Sequence, residues 1–205
     1  TVPILETPEP NPARQFTLTV SGNSAGTGIT ANNRISVLIE DAAASLPSPW
    51  TASLVGSVTD YSSAVLIGET FHSVVIGGSG VTSGTTDNGR FIHQSRSGDG
   101  ILTAFLPSGL PSDGNARVAL MVRATTANNA IMAAAVASSS SSFGAKLAYR
   151  TTTGGSAYAL PTSSNALLQP CWLRLTRTGP LFTAEASADG TDWIQLGTIS
   201  APAMP

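Results

Sequence analysis

Residues 172–193 read WLRLTRTGPLFTAEASADGTDW. Leu173 and Leu175 alternate with Arg174 and Thr176. Beyond Gly179-Pro180, Phe182, Ala184 and Ala186 fall on one face and Glu185 on the other. Successive side chains leave a strand on opposite faces, so this period of two describes strands with one buried side. Trp172–Arg177 and Phe182–Ser187 flank Thr178-Gly179-Pro180 and are expected to pair as an antiparallel hairpin. Arg174 would then oppose Glu185, a surface pair contributing about a few tenths of a kcal/mol. Trp193, just past the Asp189-Gly190 turn, reads as a packing residue.

The same alternation recurs along the chain. Phe16, Leu18 and Val20 alternate with threonines, as do Ile35, Val37 and Ile39 with polar and apolar neighbours in Arg34–Glu40. Ile101–Leu106 and Ala119–Arg123 are of the same kind, and His72 and His93 sit in strand patterns. Asn88-Gly89, Asp99-Gly100, Asp113-Gly114 and Asp189-Gly190 are dipeptides that tolerate the positive φ of tight hairpin turns. No segment carries apolar residues at helical spacing with a cap and a charged opposite face. Ala130–Ala137 (AIMAAAVA) is rich in a helix-favouring residue but lacks a cap, and is read as a buried strand. Ser138–Ser142 reads as a loop able to carry O-linked glycans. Many short strands with this punctuation define an all-β sandwich or barrel.

Composition narrows the partners. Among 205 residues there are 10 basic and 12 acidic side chains, one of them lysine (Lys146), beside 26 serines and 24 threonines. Charged residues make up 11%, against about 25% in an ordinary domain. Nine scattered arginines make no basic footprint for nucleic acid, and no basic amphipathic face suits a membrane surface. The longest apolar run is far short of the ~20 residues that span a bilayer. Cys171 stands alone before Trp172 and reads as a small buried hydrophobe. The shortage of lysine, the hydroxyl-rich surface and the missing initiator Met point to a processed, exported bacterial protein at the cell surface or beyond it.

The pieces from about Trp50 to Ile199 resemble the concanavalin A-like jelly-roll superfamily, in its LamG-like branch. They are Phe91-Ile92-His93-Gln94, Gly98–Ala104, Ala119–Arg123, Trp172–Gly179, Phe182-Thr183-Ala184 and Ser187–Trp193, in the family's order. The resemblance implies an antiparallel jelly-roll β-sandwich over residues 47–205. Residues 4–41 resemble the last strands of a Calx-beta domain, through Phe16–Val20 and the closing Val37-Leu38-Ile39-Glu40-Asp41. That family's acidic stretch is here Pro8–Arg14, so the resemblance implies no calcium site. The linker Asp41–Pro49 separates this N-terminal arm and partial β segment, residues 1–46, from the rest. A pair or trio of strands cannot close a core alone, so these must dock on the jelly roll or pair with another chain.

Motifs of catalysis do not assemble. Gly22-Asn23-Ser24-Ala25-Gly26 fits a nucleophile elbow in letters, but no helix follows. Gly77-Gly78-Ser79-Gly80 likewise precedes no helix. The paired carboxylates of the superfamily's glucanases are missing, since Glu185 is followed by Ala186 and Ser187. Asp189 and Asp192 are too few for a calcium cage and are expected to cap the turn. Neither histidine has a second ligand at metal spacing. The sequence therefore predicts no enzyme, cofactor or metal.

Two functions fit. The first is a structural or adhesive module that assembles with itself, in a filament, through strand-type contacts; the Pro-rich N-terminal arm with Val2, Ile4 and Leu5 would lie along a neighbouring subunit's sheet edge, or else fold back on its own jelly roll. The second is a carbohydrate-binding module, for which Trp50, Tyr61, Tyr149 and Tyr158 are the candidate glycan contacts.

Overall fold

The computed structural model describes residues 14–19, 34–39, 46–57, 62–67, 70–75, 81–107, 116–138, 140–161, 163 and 170–205. Their regular elements are all strands: β1 (Arg14–Thr19), β2 (Arg34–Ile39), β3 (Thr51–Val55), β4 (Ser62–Ile67), β5 (Thr70–Val75), β6 (Gly89–His93) and β7 (Gly100–Leu106), then β8 (Val118–Arg123), β9 (Met132–Ala137), β10 (Ala145–Arg150), β11 (Tyr158–Leu160), β12 (Cys171–Thr178), β13 (Leu181–Ser187) and β14 (Ile194–Ser200). Every pairing is antiparallel. Two four-stranded sheets carry the core, β11-β10-β9-β8 (sheet I) and β14-β13-β12-β7 (sheet II); β1-β2, β3-β6 and β4-β5 form two-stranded ribbons.

The hairpin expected from the sequence is β12–β13, with Arg174 opposite Glu185 and Leu175 opposite Ala184. Its apolar face packs against sheet I. Cys171, Leu173, Leu175, Ala184, Ala186 and Leu196 meet Ala135, Ala137, Ala145 and Leu147 in one buried cluster. This is a β-sandwich, held as such folds are by removing the inner faces of both sheets from water. A β-bulge between Ala184 and Glu185 lets β14 keep pace with the twist of β13. Gly197 lies across from Ala184, and a Cβ there would approach Leu147 and Leu160 at 3.3 Å, so a small residue lets the sheets close tightly at this edge.

The alanine-rich segment is a strand, and a fully covered one: every residue of β9 is buried. Ala135 and Ala137 face sheet II, while Met132, Ala134 and Val136 join Ala148 and Ala157 in a second cluster on the opposite side, with Val81, Ala119, Met121 and Phe143 packed on it. A strand covered on both faces reads as a continuous apolar run, not as an alternation. Burial overrides alanine's helical preference here. A third cluster, Ile131, Ala133, Phe182, Ala201 and Met204, seals one end. The C-terminal residues are tied to the same chain: Ala201 N–H donates to Pro180 O at 2.8 Å, and Arg177 donates to the main-chain oxygens of Met204 and Pro205.

Turn chemistry needs one correction. Asn88-Gly89 and Asp99-Gly100 do not form tight turns with positive φ, because Gly89 and Gly100 open strands β6 and β7. The left-handed residue beside Asp99 is Gly98, at φ 81°. Asp189-Gly190 behaves as expected, with Gly190 at φ 81°, where a Cβ would press to 3.0 Å from the Trp172 indole nitrogen. Asp113-Gly114 lies outside the described residues.

Candidate interaction surface

β7 is the last strand of sheet II among the described residues, hydrogen-bonded on one side to β12. The pairing Phe105↔Trp172, Thr103↔Arg174 and Ile101↔Thr176 places those six residues on the sheet's outer face. The inner face holds Leu173 and Leu175, so the amphipathic alternation of β12 fixes which side chains turn outward. Ile101 is 66% exposed and Phe105 48%, and Leu102 is exposed as well. The strand Gly-Ile-Leu-Thr-Ala-Phe-Leu carries no charge and no proline.

Behind this edge the outer face is built as neutral rows. Phe105 and Trp172 have ring centroids 5.1 Å apart at a 48° tilt. Arg174 donates from Nε and Nη2 to both carboxylate oxygens of Glu185 at 2.7 and 2.8 Å. Its guanidinium also lies 4.0 Å from the centroid of Trp193. The hydrogen bonds to Glu185 raise the Arg174 pKa. Trp193 is thus a packing residue, as its place after the turn suggested. Thr183 and Thr198 hydrogen-bond to each other at 2.9 Å.

Among the residues expected to contact glycans, Tyr149 and Tyr158 come together as cross-strand partners of β10 and β11, with ring centroids 5.9 Å apart. Tyr158 is 59% exposed and Tyr149 packs partly against the core. Trp50 is half-buried before β3, its N–H donating to Pro47 O. Tyr61 and the arm residues Val2, Ile4 and Leu5 lie outside the described residues, as do Ser24 and the glycine run 77–80.

The candidate chemical groups resolve into structural roles. Asp189 accepts from the N–H groups of Thr191 and Asp192 and from Ser187 Oγ, all within 2.9 Å. These bonds, that from Asp192 foremost, hold its carboxyl far below the usual carboxylate range. It caps the turn, as expected. Cys171 is fully buried, and desolvation pushes its thiol pKa up. His93 Nε2 shares a hydrogen bond with Ser53 Oγ at 2.9 Å, and its ring stacks on Phe91. His72 lies in β5. Among the described residues, no three His, Cys, Asp or Glu side chains gather where a metal could bind, and no helix is long and apolar enough to cross a membrane.

One polar constellation escaped the sequence reading. Asp87 accepts from Arg150 at 2.7 and 3.2 Å and from Arg123 at 2.6 Å, with all three side chains nearly inaccessible to water. Arg150 also donates to Gly155 O and Ala130 O, and Arg123 to Thr125 O and Ala127 O. Together with Asp87 N–H to Asn128 O and Ala157 N–H to Gly84 O, these bonds clamp the segment leading into β6 over one end of sheet I.

Comparison with protein-family models, with curated proteins and with solved structures finds no match.

Proposed function

We propose that this protein is a non-enzymatic extracellular structural or adhesive module, exported by a bacterium, that assembles with copies of itself through strand-type contacts. One observation carries the reading: among the described residues, sheet II ends in an uncharged, proline-free strand that exposes Ile101, Leu102 and Phe105. Edge strands in monomeric proteins are ordinarily blunted by charge, proline or a covering element, because their free N–H and C=O groups template further pairing. The low charge of the chain supports the same reading, since like-charge repulsion between copies is small. In the jelly-roll resemblance, sheets I and II would be the two layers, with the β1–β2 ribbon as an added element available for contacts that propagate a filament. Negative-stain microscopy of the purified protein over a rising concentration series tests this. Ordered oligomers or filaments are expected, and isolated particles at every concentration would overturn it.

A carbohydrate-binding module is the second reading, favoured by the Tyr149–Tyr158 pair, since adjacent aromatic rings suit the apolar face of a sugar. A glycan array reads this out: binding lost in Tyr158→Ala would support it, and an array without hits would remove it.

A further inference from the structure

We propose that β7 pairs with β7 of a second copy, antiparallel and centred on Thr103, to form a two-fold dimer. This rests on the self-association reading above and gives it a contact, a register and a symmetry.

The side-chain order selects the partner. On the exposed outer face β7 presents Ile101, Thr103 and Phe105. An identical strand running antiparallel about Thr103 brings Ile101 opposite the second copy's Phe105, Thr103 opposite Thr103, and Phe105 opposite Ile101. Cross-strand pairs of an aromatic with a β-branched residue, and of two threonines, are among the favourable ones. The two most exposed apolar side chains of the strand would therefore cover each other. On the inner side, Leu102 meets Ala104, a large residue against a small one. A one-residue slip would turn the second copy's Ile101, Thr103 and Phe105 to the opposite side of the joined sheet and forfeit this match.

Charge and backbone limits agree with the same register. Asp99 precedes the strand and Pro107 follows it. The antiparallel arrangement sets each Asp99 beside the other copy's Pro107, whereas a parallel one would set the two Asp99 carboxylates side by side. Pro107 has no N–H to give, so the new ladder ends with Leu106. Arg174 and Glu185 are already paired in the row behind Thr103, which leaves that row without an uncompensated charge. The two four-stranded sheets would continue as one sheet of eight, in the order β14-β13-β12-β7-β7-β12-β13-β14. Because a two-fold contact closes on itself, β7 would make the dimer and a different surface would have to extend it into a filament.

Cysteine cross-linking of the whole chain tests the register. Directly opposed residues have Cα atoms about 4.5–5.5 Å apart, within disulfide reach. Thr103→Cys should form a covalent dimer on mild oxidation. Ile101→Cys alone should not, because its copies would stand roughly 13 Å apart along the strands. A mixture of Ile101→Cys with Phe105→Cys should cross-link. Cys171 is fully buried and contributes no background. Thr103→Lys, at an exposed position, should keep the fold by circular dichroism and lower the dimer association constant at least about tenfold by opposing two ammonium groups. If the unsubstituted protein dimerises but Thr103→Cys does not cross-link and Thr103→Lys still dimerises, the β7 contact is overturned while self-association stands. Equal cross-linking of Thr103→Cys and Ile101→Cys overturns the register. A protein monomeric at all concentrations overturns both the contact and the self-association reading.

Discussion

Asp87 is one carboxylate shared by two buried guanidiniums, and the cost of taking those charges out of water is met only because every one of them has partners. Asp87→Ala would strand Arg123 and Arg150 as unpaired buried cations. Urea unfolding should show a loss of about 3–5 kcal/mol. Arg150 and Asp87 are 63 positions apart in the chain and Arg123 and Asp87 are 36, so no local pattern announces them. Asp189 was different, because its role is local and a turn dipeptide reveals it. Its folded-state pKa is depressed, so its stabilising effect is present above the unfolded carboxylate pKa of about 3.9 and is lost as pH falls below that value. Melting curves of Asp189→Ala should therefore fall below those of the parent protein at pH 7 and converge with them in acid. Cys171 was also legible, as a thiol in an apolar run. In the native protein it should not react with a thiol reagent, and should become titratable only on unfolding.

At the scale of elements, the strands that alternate were readable and the strands buried on both faces were readable only by exclusion. β12 and β13 advertise their faces residue by residue, so their pairing and the Arg174–Glu185 register follow from the letters. β9 shows no period because sheet II covers one side and the Val81, Phe143 and Ala157 layer covers the other. Its small side chains are what let both layers approach. Ala135→Leu, aimed into the inter-sheet core, should overpack it and destabilise the protein by about 1–3 kcal/mol, measured by chemical denaturation. Phe182→Ala, at the sealed end, should cost about 3–5 kcal/mol through the cavity it leaves. β7 looked like an ordinary amphipathic strand in sequence. Its exposure arises because, among the described residues, it ends the sheet, a property of topology that no single strand encodes.

For the molecule as a whole, the low charge first excluded partners and then gained a positive meaning from where the few charges sit. The described ion pairs are satisfied within the chain: Asp87 is shared by Arg123 and Arg150 in the interior, and Arg174 is held by Glu185 behind β7. What sheet II offers beyond itself is an uncharged strand with its apolar side chains in solvent. Self-association through that edge is read out by sedimentation velocity of the unsubstituted full chain over a wide concentration range. The weight-average sedimentation coefficient should rise with concentration from the monomer value to that of a dimer or larger species. A coefficient that stays at the monomer value throughout would contradict it.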